Sequence, residues 1–223
     1  MIVRACDLSF LSSEVRKRLG EVGSVIAPEP LRYQAKELDR YLQAKLTREW
    51  YRTYGKYPNG HLLFGEDELR RKQIPQLVNG EKQGGNSGKQ CFPDFILGIH
   101  YLQKEYGVIR DYRDRALEKY PERRERHCKA RKLLGEEGAN FVCNSEKKNR
   151  DDTHPPDLLV FDSRNHFFLS EAKLAKSGYR DKLKIPQLEF FIEVEKLLNR
   201  LLPLTRQALR GHWVEVVHLE PNN

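Results

Sequence analysis

Two carboxylates and one ammonium, Asp157, Glu171 and Lys173, are spaced so that one hairpin would gather them on one surface. Asp157-Leu-Leu-Val-Phe-Asp162 and His166-Phe-Phe-Leu-Ser-Glu171-Ala-Lys173 are apolar runs on either side of Ser163-Arg164-Asn165, a turn by composition. If a three-residue loop pairs Asp162 with His166, Asp157 falls directly opposite Glu171. Opposed residues of an antiparallel pair share a face, and Lys173, two residues beyond Glu171, lies on that face too. Hydrolysis of a phosphodiester needs a positioned divalent cation, an activated water and stabilisation of charge on the phosphate. Oxygen ligands suit Mg²⁺, which is often held by only one or two carboxylates and keeps several waters. Asp157 and Glu171 would supply those carboxylates, and the main-chain carbonyl of Ala172 a third oxygen. Lys173 would orient the attacking water or balance the phosphate's charge.

Context separates this group from others in the chain. Both runs are apolar on both faces, as strands of a sheet covered by helices should be, yet their ends are charged on one face. Without chemistry, the same residues would make a surface turn with a Glu171–Lys173 ion pair. Pro93-Asp94 followed by Asp111-x-Arg113 has a similar spacing, but it falls in helical pattern with the wrong base and is set aside. Gly88-Lys89 does not make a phosphate loop: the first glycine would have to be residue 83, which is Gln83, and Gln90 follows the lysine.

The chain of 223 residues is 39% hydrophobic and 32% charged, enough for one large domain or a core with a substantial extension. A formal charge of +8, from 40 Lys and Arg against 32 Asp and Glu, favours polyanionic partners, nucleic acid first. Cys6, Cys91, Cys128 and Cys143 are far apart and lack the paired spacing of a structural zinc site. The sequence has no signal-peptide pattern and no stretch of 18 apolar residues, so it reads as cytoplasmic with no membrane partner.

Ser12-Ser13-Glu14 predicts the cap of a helix ending near Gly20. Leu31, Ala35, Leu38, Leu42, Leu46 and Trp50 recur every three or four residues and predict one amphipathic helix of about six turns. Arg48 and Arg52, with neighbouring lysines and arginines on that helix, form either a basic ridge facing phosphates or its solvated back. Residues 79–91 read as a loop. Helices are expected from Pro93 to about Tyr106, from Arg110 to Tyr120 and from Glu122 to Glu137. Ala139–Cys143 is expected to be a short strand. The hairpin follows, then a helix over Ile185–Leu201 and a closing strand at Trp213–Leu219. From residue 122 the order is helix, strand, strand, strand, helix, strand.

Pro156-Asp157 with Glu171-Ala172-Lys173, set in that order of elements, resembles the PD-(D/E)XK nuclease superfamily over about residues 122–220. Gln187, at the start of the next helix, resembles the Gln found near the active site of its virus-type replication-repair (VRR-NUC) branch and other members. The resemblance implies an α/β restriction-endonuclease-like core: a mixed central sheet flanked by helices. It also implies Mg²⁺-dependent cleavage of DNA, with Mn²⁺ substituting, by members ranging from restriction enzymes to Holliday-junction resolvases and repair nucleases. On it, Asp157, Glu171 and Ala172 bind metal, Lys173 is base or charge stabiliser, and Gln187 supports the site. Many members add an acid from the first core helix; Glu125 is the choice here and Glu122 the next. Lys176, Arg180, Lys182 and Lys184 lie in a segment that borders the cleft in this fold, placing them against phosphates.

These expectations divide the chain into a mainly helical, basic extension at 1–121, for substrate selection or dimerisation, and a nuclease core at 122–223. A homodimer would suit two cuts on a duplex, and the residues leave RNA open as a substrate. The competing readings are a sequence-specific restriction endonuclease and a non-catalytic nucleic-acid-binding protein on the same fold.

Overall fold

Among the described residues, eight strands and six helices build an α/β fold, a mixed sheet flanked by helices on both faces, in the computed structural model of the chain. The structure describes residues 1–42, 45–64, 92–112, 124–143, 155–176, 179–202 and 211–222. The order along the chain is β1 (Ile2–Arg4), α1 (Ser13–Glu21), β2 (Val25–Ala27), β3 (Leu31–Tyr33), α2 (Ala35–Leu42) and α3 (Lys45–Tyr54). A 3₁₀ turn (Gly60–Leu62) precedes α4 (Phe92–Leu102), β4 (Gly107–Arg110) and α5 (Arg124–Cys143). β5 (Leu158–Phe161), β6 (Phe167–Lys176), β7 (Tyr179–Arg180), α6 (Ile185–Leu201) and β8 (Val214–Pro221) complete it.

The sheet runs β2-β1-β8-β6-β5-β4, with β3 paired to β8 and β7 to β6. β4, β5 and β6 are antiparallel neighbours, whereas β6, β8, β1 and β2 are parallel. β5 pairs β6 in the register Leu158↔Ser170 to Phe161↔Phe167, which is the pairing predicted from the turn. The alternation of side chains then feeds two cores. Leu159, Phe161 and Leu169 pack on one face with Leu19 of α1, Leu133 of α5 and Leu188 and Phe191 of α6. Leu158, Val160 and Phe168 pack on the other with Tyr41, Trp50, Phe92 and Phe95 of α2, α3 and α4.

Residues before 122 supply strands on both sides of this sheet, β1 and β3 beside β8 and β4 beside β5, so the sheet runs across the 121/122 boundary. Three local expectations are corrected. Leu31–Tyr33 is a strand, and the helical residues after it form α2 and α3 as separate helices. Ala139–Cys143 is helical: Gly135, at φ 74° and ψ 168°, interrupts α5 and the chain then resumes the helix. Ala139, Val142 and Cys143 bury one helical face, at i, i+3 and i+4 spacing rather than the alternation of a strand. Arg110 belongs to β4 rather than to the start of a helix, and residues 113–120 of that expected helix lie outside the described residues.

β4 reaches its place because Gly107 has no side chain. Phe161 sits opposite Gly107 in the ladder, and a Cβ there would lie 2.2 Å from the ring's Cζ. Gly107→Ala is therefore expected to destabilise the protein by about 1–3 kcal/mol. A urea denaturation midpoint equal to wild type would show that the ring can move aside.

Candidate active site

The start of β5 and the middle of β6 carry the predicted group, and the ladder explains why the side chains meet. Asp157 stands one residue before β5, opposite Glu171. Its main-chain N–H donates to Glu171 Oε2 at 3.2 Å, and Ala172 N–H donates to Asp157 Oδ2 at 3.1 Å. Lys173 Nζ lies 2.8 Å from Glu171 Oε1, and Gln187 Nε2, from the first turn of α6, donates to the same oxygen at 2.6 Å. Glu171, Lys173 and Gln187 are buried and Asp157 is half-buried.

Pro156 has a local consequence. Continued by one residue pair past Asp157, the β5–β6 register sets Pro156 opposite Ala172. A proline has no N–H to give to the ladder, so it cannot satisfy the Ala172 carbonyl. The carbonyl of Pro156 is taken instead by the Tyr112 hydroxyl at 2.6 Å. Ala172 N–H points to Asp157, and in a strand the carbonyl of the same residue points to the same side. The Ala172 oxygen is thus left without a donor from Pro156, on the side of β6 that its N–H turns to Asp157.

Two further acids join them. Asp94, in the first turn of α4, is buried and accepts a hydrogen bond from Arg110 Nε of β4 at 3.0 Å. The Arg110 guanidinium lies 4.9 Å from the centroid of the Phe95 ring. Asp181, just after β7, places Oδ2 at 3.7 Å from Lys173 Nζ. The Pro93-Asp94 pair set aside in the sequence thus belongs to the site. The helical pattern that counted against it is what carries it there, because the first turn of α4 ends beside the hairpin. Asp181 had no signal beyond its place between Arg180 and Lys182.

Burial dominates the electrostatics. It pushes the Asp94 carboxyl up to about 6 against the pull of Arg110, with Glu171 and Asp111 adding to the rise. Burial, reinforced by Asp94 and Glu171, raises Asp157 well above the ordinary carboxylate range, with Lys173 and the Ala172 N–H opposing. Asp181 is raised for the same first reason, with Lys173 opposing and Glu171 adding. Burial disfavours the charged form of Lys173, yet Glu171, Asp181 and Asp157 together outweigh it and hold its pKa above the usual lysine value. Four acids therefore surround two cations, Lys173 and Arg110, and the cluster is net negative when all are ionised.

The remaining predicted residues are placed as follows. Glu125 is exposed on α5, with Oε1 2.9 Å from His61 Nε2, and makes no contact with Asp157, Glu171 or Lys173 among the described residues. Asp94, not Glu125, is the helix-borne acid beside the hairpin. Lys182 and Lys184 are exposed between β7 and α6, and Lys184 acts electrostatically on Asp181. Lys176 and Arg180 contribute backbone to β6 and β7. Arg48 and Arg52 are exposed on α3. Glu122 and residues 79–91 lie outside the described residues. A cleft of about 180 Å³, lined by Arg4, Tyr101 and Glu215 among others, includes none of the hairpin acids.

No three His, Cys, Asp or Glu side chains form a metal-holding group among the described residues. The narrower set of Asp157, Glu171 and the Ala172 carbonyl fits Mg²⁺ in donor type, being all oxygen with an excess of negative charge around it. Among the described residues no helix is long and apolar enough to cross a membrane. No protein-family model, curated protein or solved structure matches this chain.

A carboxyl whose pKa is higher folded than unfolded holds its proton more tightly in the native state. Stability is then gained as the pH falls toward the unfolded value near 4 and lost as it rises through the native one. For Asp94 that window runs from about 4 to about 6. Without divalent cations, the melting temperature between pH 7 and 5 should therefore carry a favourable contribution from Asp94 on acidification. Asp94→Asn should flatten this dependence. Equal pH slopes for wild type and variant would contradict the raised carboxyl.

Proposed function

We propose that this chain is a metal-dependent endonuclease of the PD-(D/E)XK type, hydrolysing phosphodiester bonds in DNA. The observation that carries the reading is the meeting of Asp94, Asp157, Glu171 and Lys173 where β5 begins beside the middle of β6. The topology supports it. Leaving out α5, which stands between β4 and β5, and the short β7, the elements from α4 onward run helix, strand, strand, strand, helix, strand, a unit that starts before residue 122 and not at it as expected from the sequence. The strands of that unit lie in the order β4-β5-β6-β8, with β8 parallel to β6.

Asp157, Glu171 and the Ala172 carbonyl would hold Mg²⁺, with Asp94 as a further acid beside them. Bound there, Mg²⁺ supplies Lewis acidity toward a phosphate oxygen and makes water a stronger nucleophile. The chain's own residues do the positioning. Gln187 fixes one oxygen of Glu171, and the Asp157 N–H fixes the other. Held by acids on more than one side, the Lys173 ammonium is placed to stabilise charge on the phosphate. Arg110 holds Asp94. Lys182 and Lys184 provide exposed charge for the phosphate backbone next to the site. A protein that only bound nucleic acid would gain nothing from burying acids against a polyanion, which counts against the non-catalytic alternative.

The test is cleavage of supercoiled plasmid, linear duplex, single strands, a four-way junction and RNA in Mg²⁺, Mn²⁺ or EDTA. Cutting is expected with either metal and not in EDTA. Asp157→Ala and Lys173→Ala should each lower the rate by at least about 100-fold. Asp94→Asn should also lower it, while Glu125→Gln leaves it unchanged. Metal-dependent cutting that survives both Asp157→Ala and Lys173→Ala would rule the site out. Tight binding with no cutting on any substrate would instead favour a binding protein.

A further inference from the structure

Asp181 is a carboxylate in a place where a polyanion-binding protein has reason to avoid one. It lies in the basic run Lys176, Arg180, Lys182 and Lys184, between the hairpin strand and α6. Its side chain is 38% exposed, whereas that of Lys173, which it approaches to 3.7 Å, is 6% exposed. Its backbone is fixed as well: Asp181 N–H donates to the Leu174 carbonyl at 3.0 Å, next to Lys173 in the chain. A partly exposed acid at the rim of a site that takes phosphates weakens substrate binding unless it does something else there.

We infer that Asp181 is a positioning residue that aims the Lys173 ammonium, an assignment that rests on the nuclease reading of the site. A lysine side chain has four rotatable bonds and three donors on its ammonium. Glu171 Oε1 engages Lys173 from below, but that oxygen is shared with Gln187. One shared contact leaves the ammonium free to swing about it. Asp181 supplies a second direction, from the rim, so that the ammonium is held between a buried acid and a half-exposed one. A phosphate oxygen arriving over the rim then meets a cation already in line with Glu171. The same acid opposes accumulation of nucleic acid at the rim, so it improves the reaction at some expense in affinity.

This predicts a separation of kinetic constants that a merely structural residue would not give. Asp181→Asn keeps the shape and removes the charge. On a duplex oligonucleotide its kcat should fall roughly 10- to 100-fold, while KM stays the same or decreases. Asp181→Glu, which restores the carboxylate, should recover most of the loss. A readout independent of cleavage comes from the side-chain ammonium resonance of Lys173 in the metal-free protein, identified by its disappearance in Lys173→Met. In Asp181→Asn that resonance should shift and broaden, with the melting temperature within about 2 °C of wild type. An unchanged resonance together with unchanged kcat would overturn the assignment, as would a parallel loss of kcat and affinity that Asp181→Glu fails to rescue. If the wild-type protein cuts no substrate, the nuclease reading fails, and the resonance alone still decides whether Asp181 orders Lys173.

Discussion

One register of backbone pairing governs everything at the acid cluster. A slip of a single residue between β5 and β6 would send Glu171 and Lys173 through the sheet to the opposite core and expose apolar side chains where they had been. Several interactions oppose the slip. Asp162 closes the turn by accepting the N–H groups of Arg164 and His166, each at 2.8 Å, and by contacting the His166 ring at 3.0 Å. Lys129 Nζ holds Asn165 from α5 at 3.0 Å. On its other side β6 is locked to β8 over six residue pairs, from Leu169↔Val214 to Leu174↔Leu219.

The cost of this arrangement falls on the charges. Carboxyls buried together lift each other's pKa and oppose folding at neutral pH unless cations or hydrogen bonds compensate. Here compensation is partial: Lys173 and Arg110 face four acids, and Gln187 contributes an amide. A chain selected only for stability would fill such positions with apolar residues, as β5 does along its whole length. Local conflict inside a consistent fold is where function is to be sought.

The sequence carried the hairpin and its register because apolar alternation and a polar turn are local signals. It carried α6 for the same reason, with Pro186 in the first turn and Gln187 facing the site. Asp94 was set aside in the sequence, because Asp94 and Asp157 are brought together by a sheet that the intervening residues do not announce. β4 is only four residues long and depends on Gly107 making room for Phe161, a fit between distant positions. The end of α5 lies beyond the expected Glu137 for a related reason. A glycine with positive φ usually ends a helix, and here the helix resumes because Ala139, Val142 and Cys143 have a core to enter.

β8 sits between β1 and β6, although Arg4 and Glu215, which bond across the β1–β8 pair at 3.0 Å, are 211 positions apart. During synthesis, β1 emerges well before β8 and must wait for the residues between them before that neighbour exists. Until then both β1 and β6 present an open edge, the kind of surface on which strands of other chains can dock. Closure across such a span is slow, and the acid in the middle of β6 acquires its final surroundings only when β8 docks. A truncation before β8 would therefore remove more than an outer strand: it would leave a sheet split at its centre, with the hairpin assembled but the site unsupported.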